Sequence, residues 1–153
     1  MADFNVAVEK VLEREGEYVN DPTDSGGETK YGISKRAFPA IEIASLTLQQ
    51  AHDIYREVYW RFESVASQDV ANKLLDMAVN MGLSQAVRLA QNILGVNIDG
   101  QFGVKSLWAA NHIDADLFLQ ELRVASAVHY AKIVARDSSQ LRFLVGWMRR
   151  ALA

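Results

Sequence analysis

A chain of 153 residues, half of them apolar and 23% charged, has the composition of one globular domain with at most a small appended subdomain. It is long enough to bury about 68–70% of its unfolded surface without covalent staples. A net charge of −3 excludes a nucleic-acid binder that works through a basic surface, though not a polymer substrate read by hydrogen bonds and stacking. The absence of cysteine excludes disulfides, thiolate metal sites and cysteine catalysis.

Phe4, Val8, Val11 and Glu15 recur at spacings of 4, 3 and 4, with Ala7 and Leu12 beside them, and mark one face of a helix. Gly16 stands where a left-handed C-cap would stop it. Residues 17–32 hold Asn20, Asp21, Pro22, Asp24, Gly26, Gly27 and Gly32, a dense set of turn formers, and a short hairpin through 29–33 is expected. Thr47 with Gln50 makes a capping-box start for a long amphipathic helix through Leu48, Ala51, Ile54, Tyr55, Val58, Tyr59 and Phe62. Ser67 caps the next helix, through Val70, Leu74, Met77, Ala78 and Met81, and Gly82 ends it. Ser84 opens another, with Val87, Ala90, Ile93 and Leu94, closed by Gly95. Beyond the turn Asn97-Ile98-Asp99-Gly100 the pattern predicts a short helix near 104–111, a longer one from about 116 to 135, and a last one over 140–152. The expected fold class is mainly α, with a small loop and hairpin near residues 17–33.

Glu15 extends the apolar stripe by one turn and stands at a helix C-terminus, where the dipole disfavours a carboxylate. Edge burial and dipole both push toward a raised pKa, which suits a general acid that protonates a leaving oxygen. A glutamate reaching solvent past the helix end satisfies the same spacing, and periodicity alone favours that plainer reading. Asp21, Asp24, Glu28 and Thr29 follow within the turn-rich segment. A second carboxylate across a cleft can act as base on water or steady an oxocarbenium-like centre, with Thr29 helping to hold the water. The same acids also read as ordinary Asx turns. They lack the spacing of a calcium loop, and His52, His112 and His129 form no pair at metal-ligand spacing, so no metal or cofactor is expected. No serine sits in a nucleophile-elbow pattern, and Gly26-Gly27 is not followed by the lysine of a phosphate loop.

Tyr18, Tyr31, Trp60, Trp108 and Trp147 can offer stacking faces to sugar rings, but packing is the default for large aromatics. Tyr31, inside the turn segment, is the best exception. Arg142, Arg149 and Arg150, with Lys132 and Arg136, make the C-terminal third locally basic. A solvated face is the plain reading there and attraction to an anionic polymer the sharper one.

The run Glu15-Gly16-Glu17-Tyr18-Val19-Asn20-Asp21-Pro22, continued by Asp24-Ser25-Gly26-Gly27-Glu28-Thr29-Lys30-Tyr31-Gly32-Ile33, resembles the signature of glycoside hydrolase family 108, bacterial and phage N-acetylmuramidases with a lysozyme-like α-rich fold. Asp76-Met77-Ala78-Val79-Asn80-Met81-Gly82 is similar to the family's central helix. Val96-Asn97-Ile98-Asp99-Gly100-Gln101-Phe102-Gly103 is similar to its peptidoglycan-binding-like segment. The resemblance implies a lysozyme-like catalytic part over residues 1–95 and a helical peptidoglycan-binding-like part over 96–153 packed on the same domain. It implies that Glu15 is the catalytic glutamate, Asp24 the second acid and Thr29 the water-positioning threonine, with Tyr18, Tyr31 and Asn80 at the substrate. Glu17, where the family usually has glycine, adds a negative charge near Glu15, and Ser25 stands where proline is common.

The implied activity is hydrolysis of the β-1,4 bond between N-acetylmuramic acid and N-acetylglucosamine. The alternatives are a lytic transglycosylase using the same acid, and a non-catalytic wall-binding or secretion accessory protein. The expected partners are peptidoglycan glycan strands, with a holin or a secretion system for export and no nucleic acid, for a monomeric chain. Met1-Ala2-Asp3 opens no signal-peptide pattern and no apolar run is long enough to span a bilayer. The expectation is therefore a protein made in the bacterial cytoplasm, without stable membrane insertion, that acts at the cell wall or periplasm after release, as a prophage endolysin does.

Overall fold

The structure, a computed structural model, describes residues 1–13, 18 and 28–153. Helix α1 spans Phe4–Leu12 and opens on Asp3, whose carboxylate accepts from the Asn5 amide at 2.7 Å. Its predicted stripe is buried at Phe4, Ala7, Val8 and Val11. The expected continuation to Glu15 and the Gly16 stop lie outside the described residues.

Strands β1 (Thr29–Lys30) and β2 (Ile33–Ser34) pair antiparallel, Thr29 opposite Ser34 and Lys30 opposite Ile33. The two residues between them, Tyr31 and Gly32, both have positive φ, 51° and 74°. That is the twist a two-residue hairpin turn demands, and glycine supplies its half without strain whereas tyrosine does not. Ile33 is buried in the core, and the Tyr55 hydroxyl donates to the Tyr31 carbonyl at 2.6 Å, so the hairpin is pinned from below.

Helix α2 (Leu48–Ile54) starts with the expected capping box between Thr47 and Gln50. It then widens into one π-helical segment, Tyr55–Tyr59, and ends before Trp60, whose amide donates to the Tyr55 carbonyl. The sequence period predicted α-helix as far as Phe62. The wide turn changes the register, so that Tyr55, Trp60 and Phe62 are all buried.

Helix α3 (Gln68–Met81) is capped by Ser67 and is the centre of the molecule. Every residue from 70 to 78 is buried, and α3 packs against α1, the π-helical segment and two helices further along the chain. Those are α4 (Leu83–Leu94) and α6 (Ala115–Arg136), with α5 (Val104–His112) beside α4. Gly82, at φ 90° and ψ 142°, both ends α3 and precedes α4. Ser84 therefore lies inside the first turn of α4 and is not its cap, because the glycine reverses the chain within one residue. Gly95 closes α4 in the left-handed conformation.

Asp114 caps α6 through the Leu117 amide. The last predicted helix divides into a 3₁₀ segment, Ser138–Phe143, held by Asp137, and helix α7, Leu144–Leu152, which packs on α6. The mainly α architecture with one small hairpin is the predicted one. Among the described residues no helix is long and apolar enough to cross a membrane.

Candidate active site

The turn-rich segment ends in the hairpin, and three of the predicted site residues meet there. The Tyr18 hydroxyl donates to Glu28 Oε1 at 2.6 Å, and Thr29 follows Glu28 directly as the first residue of β1. Tyr31 sits at the turn, with the Lys30 ammonium 5.5 Å from its ring centroid. Lys30 and Lys35 donate onward to the carbonyls of Ala44 and Ile41, which ties both strands to the loop before α2. Glu15 and Asp24, the two proposed carboxylates, lie outside the described residues.

Asn80 occupies a different setting, near the C-terminal end of α3. With its oxygen turned to the Arg150 guanidinium it accepts from Nε and Nη1 at 3.1 and 2.7 Å, and its nitrogen donates to the Tyr130 hydroxyl at 2.6 Å. The opposite amide orientation would set hydrogens against hydrogens. Arg150 Nε is shared with Asp76 Oδ1 at 3.0 Å, and Asp76 Oδ2 lies 3.9 Å from Lys73 Nζ. Lys73 in turn donates to the Arg150 and Ala151 carbonyls at 2.9 and 2.7 Å, satisfying free carbonyls at the end of α7. Burial raises the Tyr130 pKa to about 12, Arg150 acting against the shift and Asp76 with it. Among the described residues no hydrogen bond joins Asn80 to Tyr18, Thr29 or Tyr31.

Helix α1 packs on α3. Gln68, at the start of α3, exchanges hydrogen bonds with the backbone of Asp3, at the start of α1. Further along, Val11 of α1 and Asn72 and Asp76 of α3 share the wall of a cavity of about 210 Å³. At the same place Lys10, near the end of α1, pairs with Asp69 in the first turn of α3 at 3.6 Å.

The segment 96–103 is organised by Gln91, which is fully buried. Its amide nitrogen donates to Asp99 Oδ1, the Gln101 carbonyl and Ser106 Oγ, and its oxygen accepts from the Gly100 amide. The Gln91 side chain and the Gln101 amide hold the Asp99 pKa below the ordinary carboxylate range. Gly100 has φ +79°, and a Cβ there would meet Ser84 Oγ at 2.5 Å. The Asp-Gly pair of this motif therefore shapes a loop.

The sequence profile described as Glycosyl hydrolase 108 matches residues 8–82, and that described as Predicted Peptidoglycan domain matches 85–152. Among solved structures, SagA from Brucella abortus is similar at 34% identity and a TM-score of 0.81, over 97% of this chain and 88% of that one. This chain belongs to the glycosyl hydrolase 108 family. It is a glycoside hydrolase acting on peptidoglycan, with a lysozyme-like helical fold. No curated protein sequence matches it.

Within this family member the aromatic and basic residues divide clearly. Trp60 is in the core and Trp147 stacks on Tyr130 at 5.2 Å, both as packing predicts. Trp108 is 63% exposed and stacks on His112 at 4.2 Å. His52 packs edge-on against Phe4 and bonds Asn5. Arg150 does not belong to a solvated basic face, since it binds Asp76 and Asn80. Sequence reasoning missed Lys73, Tyr130 and Arg150 as partners of Asp76 and Asn80. The one available signal was a lysine and an aspartate three residues apart, both within a stretch of α3 buried from 70 to 78.

Proposed function

We propose that this hydrolase cuts the β-1,4 bond between N-acetylmuramic acid and N-acetylglucosamine, with Glu15 as the general acid. Glu15 protonates the glycosidic oxygen while Asp24 supports the attacking water or the developing cation, and Thr29 helps to hold that water. Tyr18 and Tyr31 then offer contacts to the sugars, and Asn80 forms part of the cleft wall. The observation that carries this reading is the match of the Glycosyl hydrolase 108 profile to residues 8–82, the span that holds Glu15, Asp24, Thr29 and Asn80. An inverting outcome is proposed, in which a water attacks the face opposite the leaving group.

In this proposal the protein works at the cell wall after release through a holin or a secretion system. The test pairs product analysis with one variant. Muropeptides digested with the wild type should carry reducing N-acetylmuramic acid ends, whereas 1,6-anhydro ends would replace hydrolysis with transglycosylation. Purified Glu15→Gln should lose nearly all lysis of cells stripped of outer membrane while keeping its circular dichroism. Near wild-type lysis by that variant would overturn the assignment.

A further inference from the structure

Helix α6 is apolar on two sides. Phe118, Leu122 and Tyr130 are buried in the core, but Val124 and Val128, on another face, remain 54% and 44% exposed. Valine is a weak choice for a solvated helix surface, because its branched Cβ loses rotamer freedom there and gains no packing in return. Together with Leu89 and Ile93 of α4 these two valines form the floor of a groove of about 420 Å³.

The groove is polarised along its length. Glu121 stands toward one end, and Lys132 and Arg136 stand at the other with His129 beside them. Gln85 and Asn92 of α4 add amides. Among the described residues neither Lys132 nor Arg136 makes an ion pair. Burial pushes the His129 pKa down, and the neighbouring Arg136 and Lys132 cations add to that shift. Glu121 and Lys132 are eleven residues apart on one helix, a rise of about 16 Å.

We propose that this groove binds the peptide stem of peptidoglycan, with stem carboxylates at Lys132 and Arg136 and alanine methyls on Val124, Val128 and Ile93. The proposal rests on the reading of the protein as a peptidoglycan hydrolase. A stem of four residues extends about 14 Å, which fits the span between the charged ends. Its carboxylates answer the cationic end and its methyl groups the floor. The glycan itself carries no such order of charge and methyl groups. All of the groove's residues fall within the part matched by the peptidoglycan profile.

The test uses the whole chain and a soluble tetrapeptide stem containing diaminopimelate, followed by amide chemical shifts in a titration at low salt. Shifts should concentrate on α4 and α6. The double variant Lys132→Glu, Arg136→Glu should bind about tenfold more weakly with an unchanged fold, since both side chains are exposed. Absent binding, unaltered affinity in the double variant, shifts centred elsewhere, or a protein dimer burying the groove would each overturn the proposal. Release of reducing ends from peptide-free glycan chains, measured in parallel, separates the two readings. Wild-type protein that releases no reducing ends from such glycans or from intact sacculi, but still binds the stem, would sink the hydrolase reading alone. Active protein that ignores the stem would sink the groove alone.

Discussion

Replacing Gln91 with leucine removes the side chain that holds segment 96–103 while keeping nearly the same volume. Its nitrogen carries two hydrogens shared among three acceptors, Asp99 Oδ1 at 2.8 Å, the Gln101 carbonyl at 3.0 Å and Ser106 Oγ at 3.1 Å. Its oxygen accepts from the Gly100 amide at 2.9 Å. Three hydrogens are therefore in use, and at about 1 kcal/mol net for each the loss is about 3 kcal/mol. Leucine recovers little, because the position is already packed and only 1% exposed. For a chain of this size that corresponds to a fall in Tm of about 6–12 °C. Urea unfolding followed by far-ultraviolet circular dichroism measures the loss, and hydrogen exchange should show the Gly100 amide unprotected. A change below about 1 kcal/mol, with Gly100 still protected, would refute the view that this one amide organises the loop.

Gly100→Ala should cost about 1–2 kcal/mol in the same unfolding assay, from the positive φ and the contact with Ser84. Adding Ser84→Ala should restore only part of it, since the backbone strain remains. Because the folded pKa of Tyr130 lies above the ordinary value of 10.0, its contribution to stability is complete below pH 10 and is lost as pH rises toward about 12. A stability profile across that range should slope downward in the wild type and flatten at this step in Tyr130→Phe. Tyr31→Asn places a residue tolerant of positive φ in the hairpin turn, so stability should stay within about 1 kcal/mol of wild type. Wall lysis should fall about tenfold if the ring meets the glycan, and unchanged lysis would remove Tyr31 from the site.

Local chemistry was the legible part of this sequence. The Thr47 and Gln50 capping box, the Ser67 cap and the stops at Gly82 and Gly95 each depend on residues a few positions apart, and all four form as predicted. The π-helical segment was hidden, because the apolar spacing around Tyr55 fits an uninterrupted α-helix until Tyr55 must reach the Tyr31 carbonyl. Likewise Ser84 looks like a cap only while the reversal made by Gly82 is out of view. The polar cluster beneath Asn80 joins positions 50, 74 and 77 residues apart. No periodicity connects these, so Arg150 read as one more surface cation. The hairpin residues of the candidate site were found through the motif that contains them. The acid at its head, Glu15, rests on that motif and on the helix that precedes it.

The seam between the two matched regions, near residue 83, runs alongside α3, a helix buried on every side. Its neighbours come from both regions, α1 from the first and α4 and α6 from the second. A gene cut at that seam would encode an N-terminal fragment with the surfaces under α4 and α6 laid bare, prone to aggregation. Recombination could not graft a foreign C-terminal half there without reshaping the shared interior. Lineages carrying this fold should accordingly adapt to new cell walls through substitutions on the outer face of α6, leaving its inner face nearly fixed.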